Sequence, residues 1–357
     1  MKLGITGLPN VGKTTLFNAL TGSQAETSSY TMTGAKPNLG TAKVPDERLD
    51  WLAEYYHPKK YTPATIDFVD VPGVSQGSKG NEIFQAIRQT DAIVHVVRCF
   101  DDNDIFVEKA DARRDAEAFD LEMILADMDI VERRLERAKR NAKSGEKKYK
   151  RECVMCEELL ELLGNEKPAR EYNFTEEDGD ILEDGGLLTV KPVIYVANLD
   201  EDGMADYKNN ANFKALEEIA KEQGAAVLPV AAKFEEDIAG MSEDEAKLFM
   251  EDLGLTETGL DRLIRTSYDL LGYISFLTAG EDDVHAWTIV RGTKAPKAAG
   301  KVHTDIERGF IRAEVVAFDD LKACGTMNAA KEKGLVRLEG KDYVMQDGDI
   351  TMFRFNV

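Results

Sequence analysis

The sequence predicts an α/β fold with a mostly parallel sheet, an inserted antiparallel helical hairpin and a small C-terminal α+β module. Three observations carry this. Lys2–Leu20 runs through an apolar strand, a glycine-rich loop and a helix, and strand-length apolar runs then alternate with helical ones as far as Leu271, the pattern of a sheet wrapped by helices. Leu121–Leu163 reads as two helices broken at Ser144-Gly145, a helical hairpin. From Ile274 onwards short strand-like runs alternate with turns such as Gln346-Asp347-Gly348-Asp349.

The first strand, around Leu3 and Ile5, leads into Gly7-Leu8-Pro9-Asn10-Val11-Gly12-Lys13-Thr14, followed by Thr15 and by Leu16, Phe17 and Leu20 at helical spacing. This fits G-x-x-x-x-G-K-[ST] in its required strand–loop–helix context, a P-loop. Gly7 and Gly12 let the backbone bend so that successive N–H groups face phosphate oxygens. The helix starting near Lys13 adds its positive end. Lys13 would place a cation on the β- and γ-phosphates and Thr14 a hydroxyl on Mg²⁺. A nucleoside triphosphate site follows.

Thr21–Gly40 is polar, lacks periodicity and reads as a loop. In nucleotide switches such a loop carries a Thr that completes the Mg²⁺ shell; Thr31 and Thr33 are the candidates. Thr65–Val71 is a strand that delivers Asp70, with Gly73 at D-x-x-G spacing. Asp70 would hold Mg²⁺ through water, and the Gly73 N–H would sense the γ-phosphate. Val74 stands where small GTPases place a water-orienting Gln, so hydrolysis must be arranged otherwise. Ile83–Gln89 is expected to be a helix and Ala92–Val97 a buried strand, in which His95 reads as a core or strand-edge residue.

Leu121, Ile124, Leu125, Met128, Val131 and Leu135, then Val154, Leu159, Leu160 and Leu163, form the apolar faces of the hairpin. Arg133, Arg134, Arg137, Lys139, Arg140, Lys143, Lys147, Lys148, Lys150 and Arg151 crowd towards its turn, which suggests contact with RNA or an acidic partner. Pro192–Asn198 is another buried strand. Asn198-Leu199-Asp200-Glu201 follows, where guanine readers have N-K-x-D. Leu199 replaces the Lys and Glu201 the Asp, which weakens the grip on guanine. Phe213–Gln223 reads as a helix, and Ala226–Val230 as a strand leading to Ala231-Ala232-Lys233 in the place of the last base-contacting loop. Helices are expected at Glu243–Leu253 and Leu260–Leu271. Strands are expected at Ile274–Leu277, Ala286–Val290, Arg312–Val316, Asp342–Met345 and Thr351–Phe355, and Arg291, Lys294, Lys297, Lys301, Arg308 and Arg312 form a second positive patch. The expected division is 1–118 with 188–273 for the nucleotide domain, 119–187 for the hairpin and 274–357 for the C-terminal module.

The chain has 357 residues and 43% hydrophobic content, ample for a sizeable core. No apolar run approaches the roughly 20 residues of a membrane span, and no signal peptide is expected ahead of the first strand. The four cysteines, with Cys153 and Cys156 in a charged helix, supply neither a disulfide framework nor the ligand set of a zinc site; a reducing cytoplasm is expected. A net charge of −21 opposes indiscriminate nucleic-acid binding.

GLPNVGKTTLFNALT, Asn198-x-x-Glu201, the hairpin insert, His95–Phe100 and the tail motifs FLTAG, AWTI, RGTKAP, AAGKVHTD, ERGFIRAEV, EGKDYV, QDGD and FRFNV resemble the YchF/Obg-like ATPase family over nearly the whole chain. The resemblance implies a P-loop domain of the translation-factor class and a C-terminal TGS-type domain. It implies a preference for ATP over GTP, slow hydrolysis and association with ribosomes. Asn10 matches a P-loop Asn associated with potassium activation, so Asn10 and Lys13 are the catalytic candidates, with Mg²⁺ and K⁺ as cofactors. Thr14, Asp70 and Thr33 are the metal candidates. Gly7, Val11, Gly12, Thr15 and Gly73 would line the phosphates, and Asn198, Leu199, Glu201, Ala231 and Ala232 the base. A histidine that the family carries just after its CFxxxxI segment is missing around Ile105-Phe106-Val107. The expected reading is a monomeric cytoplasmic ATPase switch contacting the ribosome or its RNA; the alternatives are a non-hydrolysing nucleotide sensor or scaffold, and a GTPase.

Overall fold

The computed structural model describes residues 2–25, 37–73, 81–102, 106–179, 186–252 and 257–356. Contacts divide the chain into two units: Met1–Thr41 with Asp67–Leu263, and Ala42–Ile66 with Ile264–Val357.

The first unit is built on a six-stranded sheet of β1 (Lys2–Thr6), β2 (Asn38–Lys43), β4 (Thr65–Asp70), β5 (Ala92–Arg98), β6 (Val193–Asn198) and β7 (Ala226–Val230), in the order β2–β4–β1–β5–β6–β7. β1 pairs in parallel with β4 and β5, and β6 with β5 and β7. Every residue of β5 and β6 is buried. That explains why these strands read as continuous apolar runs: helices cover both faces of a parallel sheet. Helix α1 (Lys13–Thr21) follows the first loop, and the later helices Ala211–Glu222 and Ala232–Ala239 flank β7 in sequence.

The hairpin is formed by α4 (Ala112–Asn141) and α5 (Lys147–Gly164), after α2 (Glu47–Tyr56) and α3 (Asn81–Arg88). Asp111 caps α4 by accepting from the Arg114 N–H at 3.0 Å. A short 3₁₀ turn at Ala142–Ser144 and Gly145, at φ 87°, reverse the chain. The first helix starts earlier than the expected boundary at 119. Ala112, Ala116, Phe119 and Met123 are buried in the core over the sheet, whereas Ile124, Val131, Met155, Cys156, Leu159 and Leu163 form a separate hairpin core. One unbroken helix thus serves both bodies, and its periodicity carries no mark where one core ends. Buried Asp127 fastens the return segment, accepting from the Leu188 and Thr189 N–H groups, each at 2.8 Å.

The second unit holds β8 (Tyr273–Ala279), β9 (Asp283–Val290), β10 (Phe310–Ala317), β11 (Arg337–Glu339), β12 (Asp349–Phe355) and β3 (Lys60–Thr62), in the order β11–β10–β12–β8–β9–β3. It departs from expectation in three ways. Residues 42–66 belong to it, because β3 pairs with β9 and Arg48 bonds Asp347 at 2.7 Å. Its second boundary falls inside the helix Gly259–Leu270 rather than after 273, because the Tyr268 hydroxyl contacts the side-chain oxygens of Ser275 and Thr288 at 2.9 and 2.8 Å. Asp342–Met345 is no strand. Only Val344 bridges, to Lys294, while the Tyr343 hydroxyl reaches Asp349 at 2.8 Å and the Met345 side chain is buried in the core. Four helices, Ala295–Val302, Thr304–Arg308, Phe318–Cys324 and Met327–Glu332, occupy segments between the expected strands. No helix among the described residues is long and apolar enough to cross a membrane.

Candidate functional site: a phosphate loop with a hydroxyl–carboxyl pair

The site grows from the C-terminal end of β1, at the centre of its sheet. Gly7 has φ 143°, and a Cβ there would lie 2.4 Å from the Val96 carbonyl oxygen. Gly12 has φ 94°, and a Cβ would lie 2.3 Å from Asn198 Nδ2. Both positions therefore exclude a side chain. Between them Asn10 is exposed and also left-handed, at φ 62°. No side chain caps the start of α1, which leaves its first N–H groups to an anion.

Lys13 is 7% exposed, and its ammonium donates to the Leu8 carbonyl at 2.6 Å. Burial pulls its pKa down to about 8, while the Asp70 carboxyl opposes the shift. The Thr14 hydroxyl donates to Asp70 Oδ2 at 2.9 Å. Asn38 Nδ2 reaches the same oxygen at 3.4 Å. Asp70 Oδ1 is buried without a hydrogen-bond partner among the described residues, and burial raises the Asp70 pKa. A hydroxyl paired with a buried carboxyl that has an unused oxygen fits the hard oxygen donors that Mg²⁺ takes alongside phosphate and water. No cluster of three or more His, Cys, Asp or Glu among the described residues could hold a metal by itself. Gly73 closes on the loop: a Cβ there would lie 2.9 Å from Lys13 Nζ and from Pro9.

Asn198 ties the phosphate loop to the base-side loop. Its Nδ2 donates to the Val11 carbonyl at 2.9 Å, and its Oδ1 accepts from the Ala232 N–H at 3.0 Å. Leu199 is 3% exposed and belongs to the core, so a leucine here packs inwards. Asp200 caps the short helix Glu201–Ala205 by accepting from the Gly203 N–H at 2.7 Å, and Glu201 stands exposed at its start. Ala231 and Ala232 are buried, and Thr15 is half-buried. Thr31, Thr33 and Val74 lie outside the described residues.

Sequence reasoning did not find Asn38 or the Leu8 carbonyl. Neither carries a local signal, because each is recruited by its distance to a residue elsewhere. His95 is a core residue, 1% exposed. Cys156 is buried in the hairpin, its thiol pushed up to about 11 by burial. The basic run on the hairpin is partly consumed. Arg134 pairs with Glu152, Lys139 with Glu157 and Arg151 with Asp178, each at 2.8 Å. Arg137, Arg140, Lys143, Lys147 and Lys150 remain exposed, with no ion pair among the described residues. In the C-terminal patch, Lys294 and Lys297 pair with Asp342 and Glu307.

The strand–loop–helix, the lysine held under it and the Thr14–Asp70 pair define a P-loop domain of the GTPase fold class. A family profile described as 50S ribosome-binding GTPase matches residues 2–134, and one named for the YchF GTPase C-terminus, described as a protein of unknown function, matches residues 273–356. The ribosome-binding ATPase YchF of Bacillus subtilis is 48% identical, over 99% of this chain and 99% of that protein. The Obg-like ATPase 1 of Danio rerio is 39% identical, over 100% of this chain and 92% of that protein. The solved YchF GTPase of Schizosaccharomyces pombe superposes with a TM-score of 0.85 at 34% identity, covering 99% of this chain and 97% of that one. The chain belongs to the YchF family.

Proposed function

We propose that this protein binds ATP at the P-loop, hydrolyses it slowly to ADP and phosphate, and acts in association with the ribosome. The observation that carries the reading is the Thr14–Asp70 pair, with the buried and unused Asp70 Oδ1, beside Lys13 and Gly73. Thr14 and Asp70 would hold Mg²⁺, with Thr33 as a further candidate. Magnesium, when bound, offsets negative charge on the β- and γ-phosphates. Lys13 leaves the Leu8 carbonyl to contact those oxygens, and the phosphates favour its charged form against the burial that lowers its pKa. The amides from Gly7 to Thr15 orient the same groups, and Gly73 contacts the γ-phosphate. Asn10 would contribute an oxygen to K⁺.

At the base, Asn198 fixes the loop, Leu199 packs into the core where the guanine reader has a Lys, and Glu201 supplies a displaced carboxyl instead of the Asp that reads guanine. The fungal structure and the N-terminal profile both carry the name GTPase, which gives the alternative substrate. Its discriminating residue is Glu201.

The exposed Arg137, Arg140, Lys143, Lys147 and Lys150 at the hairpin end are the proposed contact to ribosomal RNA phosphates, joined by a TGS-type C-terminal module through Arg291, Lys301, Arg308 and Arg312. We read the protein as a cytoplasmic monomer with the hairpin as an inserted element. Single-turnover assays with ATP and GTP, with and without ribosomes, test the reading. ATP turnover at or below about 10⁻² s⁻¹, lost in Lys13→Ala, supports it; turnover unchanged in Lys13→Ala contradicts it.

A further inference from the structure

Beneath the P-loop lies a buried polar cluster that the proposed hydrolysis does not use. His95, on β5, is in register with Thr6, the last residue of β1, and with Tyr195 of β6. Its Cδ2 lies 3.5 Å from the position of a Cβ on Gly7, so the ring supports the first phosphate-loop glycine from below. Phe119 and Tyr195 pack around the ring, at centroid distances of 4.5 and 5.3 Å. Burial pulls the imidazole pKa down to about 4, against the Asp120 carboxyl and with Arg170 and Lys13 adding to the fall. The ring is therefore neutral near pH 7 and carries one N–H.

Asp120 sits on the stem of α4, the first hairpin helix. Its Oδ2 accepts from the Tyr195 hydroxyl at 3.0 Å and from Gln223 Nε2 at 3.2 Å. Arg170, just past the second hairpin helix, donates to Gln223 Oε1 at 2.6 Å. The cluster thus touches the strand beside β1, the first hairpin helix and the 3₁₀ turn Ala169–Glu171 that follows the second. Three of its buried polar atoms, His95 Nδ1, Asp120 Oδ1 and Arg170 Nε, have no hydrogen-bond partner among the described residues. Two of these face each other: His95 Nδ1 and Asp120 Oδ1 are 3.8 Å apart, about 1 Å beyond hydrogen-bonding distance. An imidazole nitrogen and a carboxylate oxygen, both buried and left open to each other, mark a contact that the fold can also make when that nitrogen carries the proton, and packed interiors switch between discrete arrangements rather than deforming smoothly.

We infer that the gap between His95 and Asp120 is a joint that closes when a nucleoside triphosphate occupies the P-loop, and that its closure tilts the helical hairpin. The inference rests on the P-loop reading above and adds how the hairpin senses the nucleotide. Phosphate binding draws in the Gly7 backbone, which has no free space over Val96 and His95. The ring follows, and its N–H reaches Asp120. Because α4 is one continuous helix, a shift of about 1 Å at Asp120, roughly 12 Å from the helix start, becomes about 3–4 Å at Asn141, roughly 44 Å along. Asp120 and His95 are positioning residues in this scheme; neither contacts the nucleotide.

The test uses the full-length chain with Cys153 and Cys324 changed to Ser, and spin labels at Lys143→Cys on the hairpin turn and Glu217→Cys on the helix Ala211–Glu222. Label distances are measured with no nucleotide and with a non-hydrolysable ATP analogue, and analogue affinity is titrated in parallel. The expected result is a shift of about 3–4 Å in the parent protein. The shift should disappear in His95→Phe, which fills the space without a donor, and return in part in His95→Gln, which keeps an N–H. Analogue affinity should fall severalfold in His95→Phe and recover in part in His95→Gln, because a joint that the nucleotide closes in turn holds the nucleotide. A shift that survives His95→Phe, or a parent protein that binds the analogue with no shift, overturns the joint. Failure of the parent protein to bind the analogue overturns the P-loop reading and the joint with it, and the titration reveals this before any distance is compared. If His95→Phe does not fold, Asp120→Ala, which removes the acceptor, takes its place: loss of the shift supports the joint, and a shift that survives contradicts it.

Discussion

Replacing Gly12 by Ala should expose how tightly the phosphate loop is braced. The residue has φ 94°, and the new Cβ would fall 2.3 Å from Asn198 Nδ2. The left-handed backbone alone disfavours Ala by about 1 kcal/mol. The clash also displaces an amide that makes two bonds, to the Val11 carbonyl at 2.9 Å and from the Ala232 N–H at 3.0 Å, each worth about 1 kcal/mol. Gly12→Ala should therefore destabilise the first unit by about 3 kcal/mol, and Asn198→Ala by about 2 kcal/mol. In the double variant the Cβ meets no amide, so the loss should stay near 3 kcal/mol rather than 5, a coupling of about 2 kcal/mol. Native-state hydrogen exchange of β5 and β6 amides is the appropriate assay. Both tryptophans, Trp51 and Trp287, belong to the other unit, so their fluorescence would follow the wrong transition. Losses that add to within about 0.5 kcal/mol would refute the brace.

Three further outcomes follow from the same geometry. Changing Arg137, Arg140 and Lys147 to Glu should weaken ribosome co-sedimentation and flatten its salt dependence by roughly 0.7–0.9 log units per log unit of salt for each phosphate no longer neutralised, whereas Arg134→Glu should act first on hairpin stability, by breaking the pair with Glu152; an unchanged salt slope after the triple reversal would show that the turn is only a solvated surface. Buried Glu235, whose pKa burial raises from an ordinary 4.5 to about 7, contributes stability that is fully present below about pH 4.5 and is lost as pH rises through 7; pH-dependent melting should show this decline, and Glu235→Gln should remove it, with a gain of about 3 kcal/mol at most above pH 8. Exchanging K⁺ for Na⁺ should lower ATP turnover, and Asn10→Ala should abolish the difference between the salts; equal rates in the two salts would remove Asn10 from the chemistry.

What the sequence revealed was local. The P-loop was legible because glycines, lysine and threonine work at fixed spacing within one strand, loop and helix, and Asp70 because an apolar strand carries it to the same end of the sheet. Asn198 was legible as part of the base-side loop because it ends a buried strand, while its bonds to the Val11 carbonyl and the Ala232 N–H were not. The C-terminal sheet was less so. β3 is three residues long and pairs with β9 more than two hundred residues away, a partnership that no local pattern encodes. Asp342–Met345 carries the strand-favouring Tyr343 and Val344, yet the bonds of Tyr343 with Asp349 and of Lys294 with Asp342 hold it as a turn. The basic run along the hairpin looked uniform, but the pairs of Arg134, Lys139 and Arg151 come from neighbouring segments, so charge counted along one helix overstates what reaches solvent. The His95–Asp120 gap could not be read at all, since it depends on an ångström between two elements.

The most direct test of the account is equilibrium titration of the wild-type chain with fluorescent ATP and GTP in Mg²⁺, beside the variant carrying Leu199→Lys and Glu201→Asp. The account predicts that the wild type binds ATP more tightly than GTP and that the variant moves selectivity towards GTP by about 1–3 kcal/mol, the scale of a recovered charged hydrogen bond. A wild-type protein that clearly prefers GTP would contradict it.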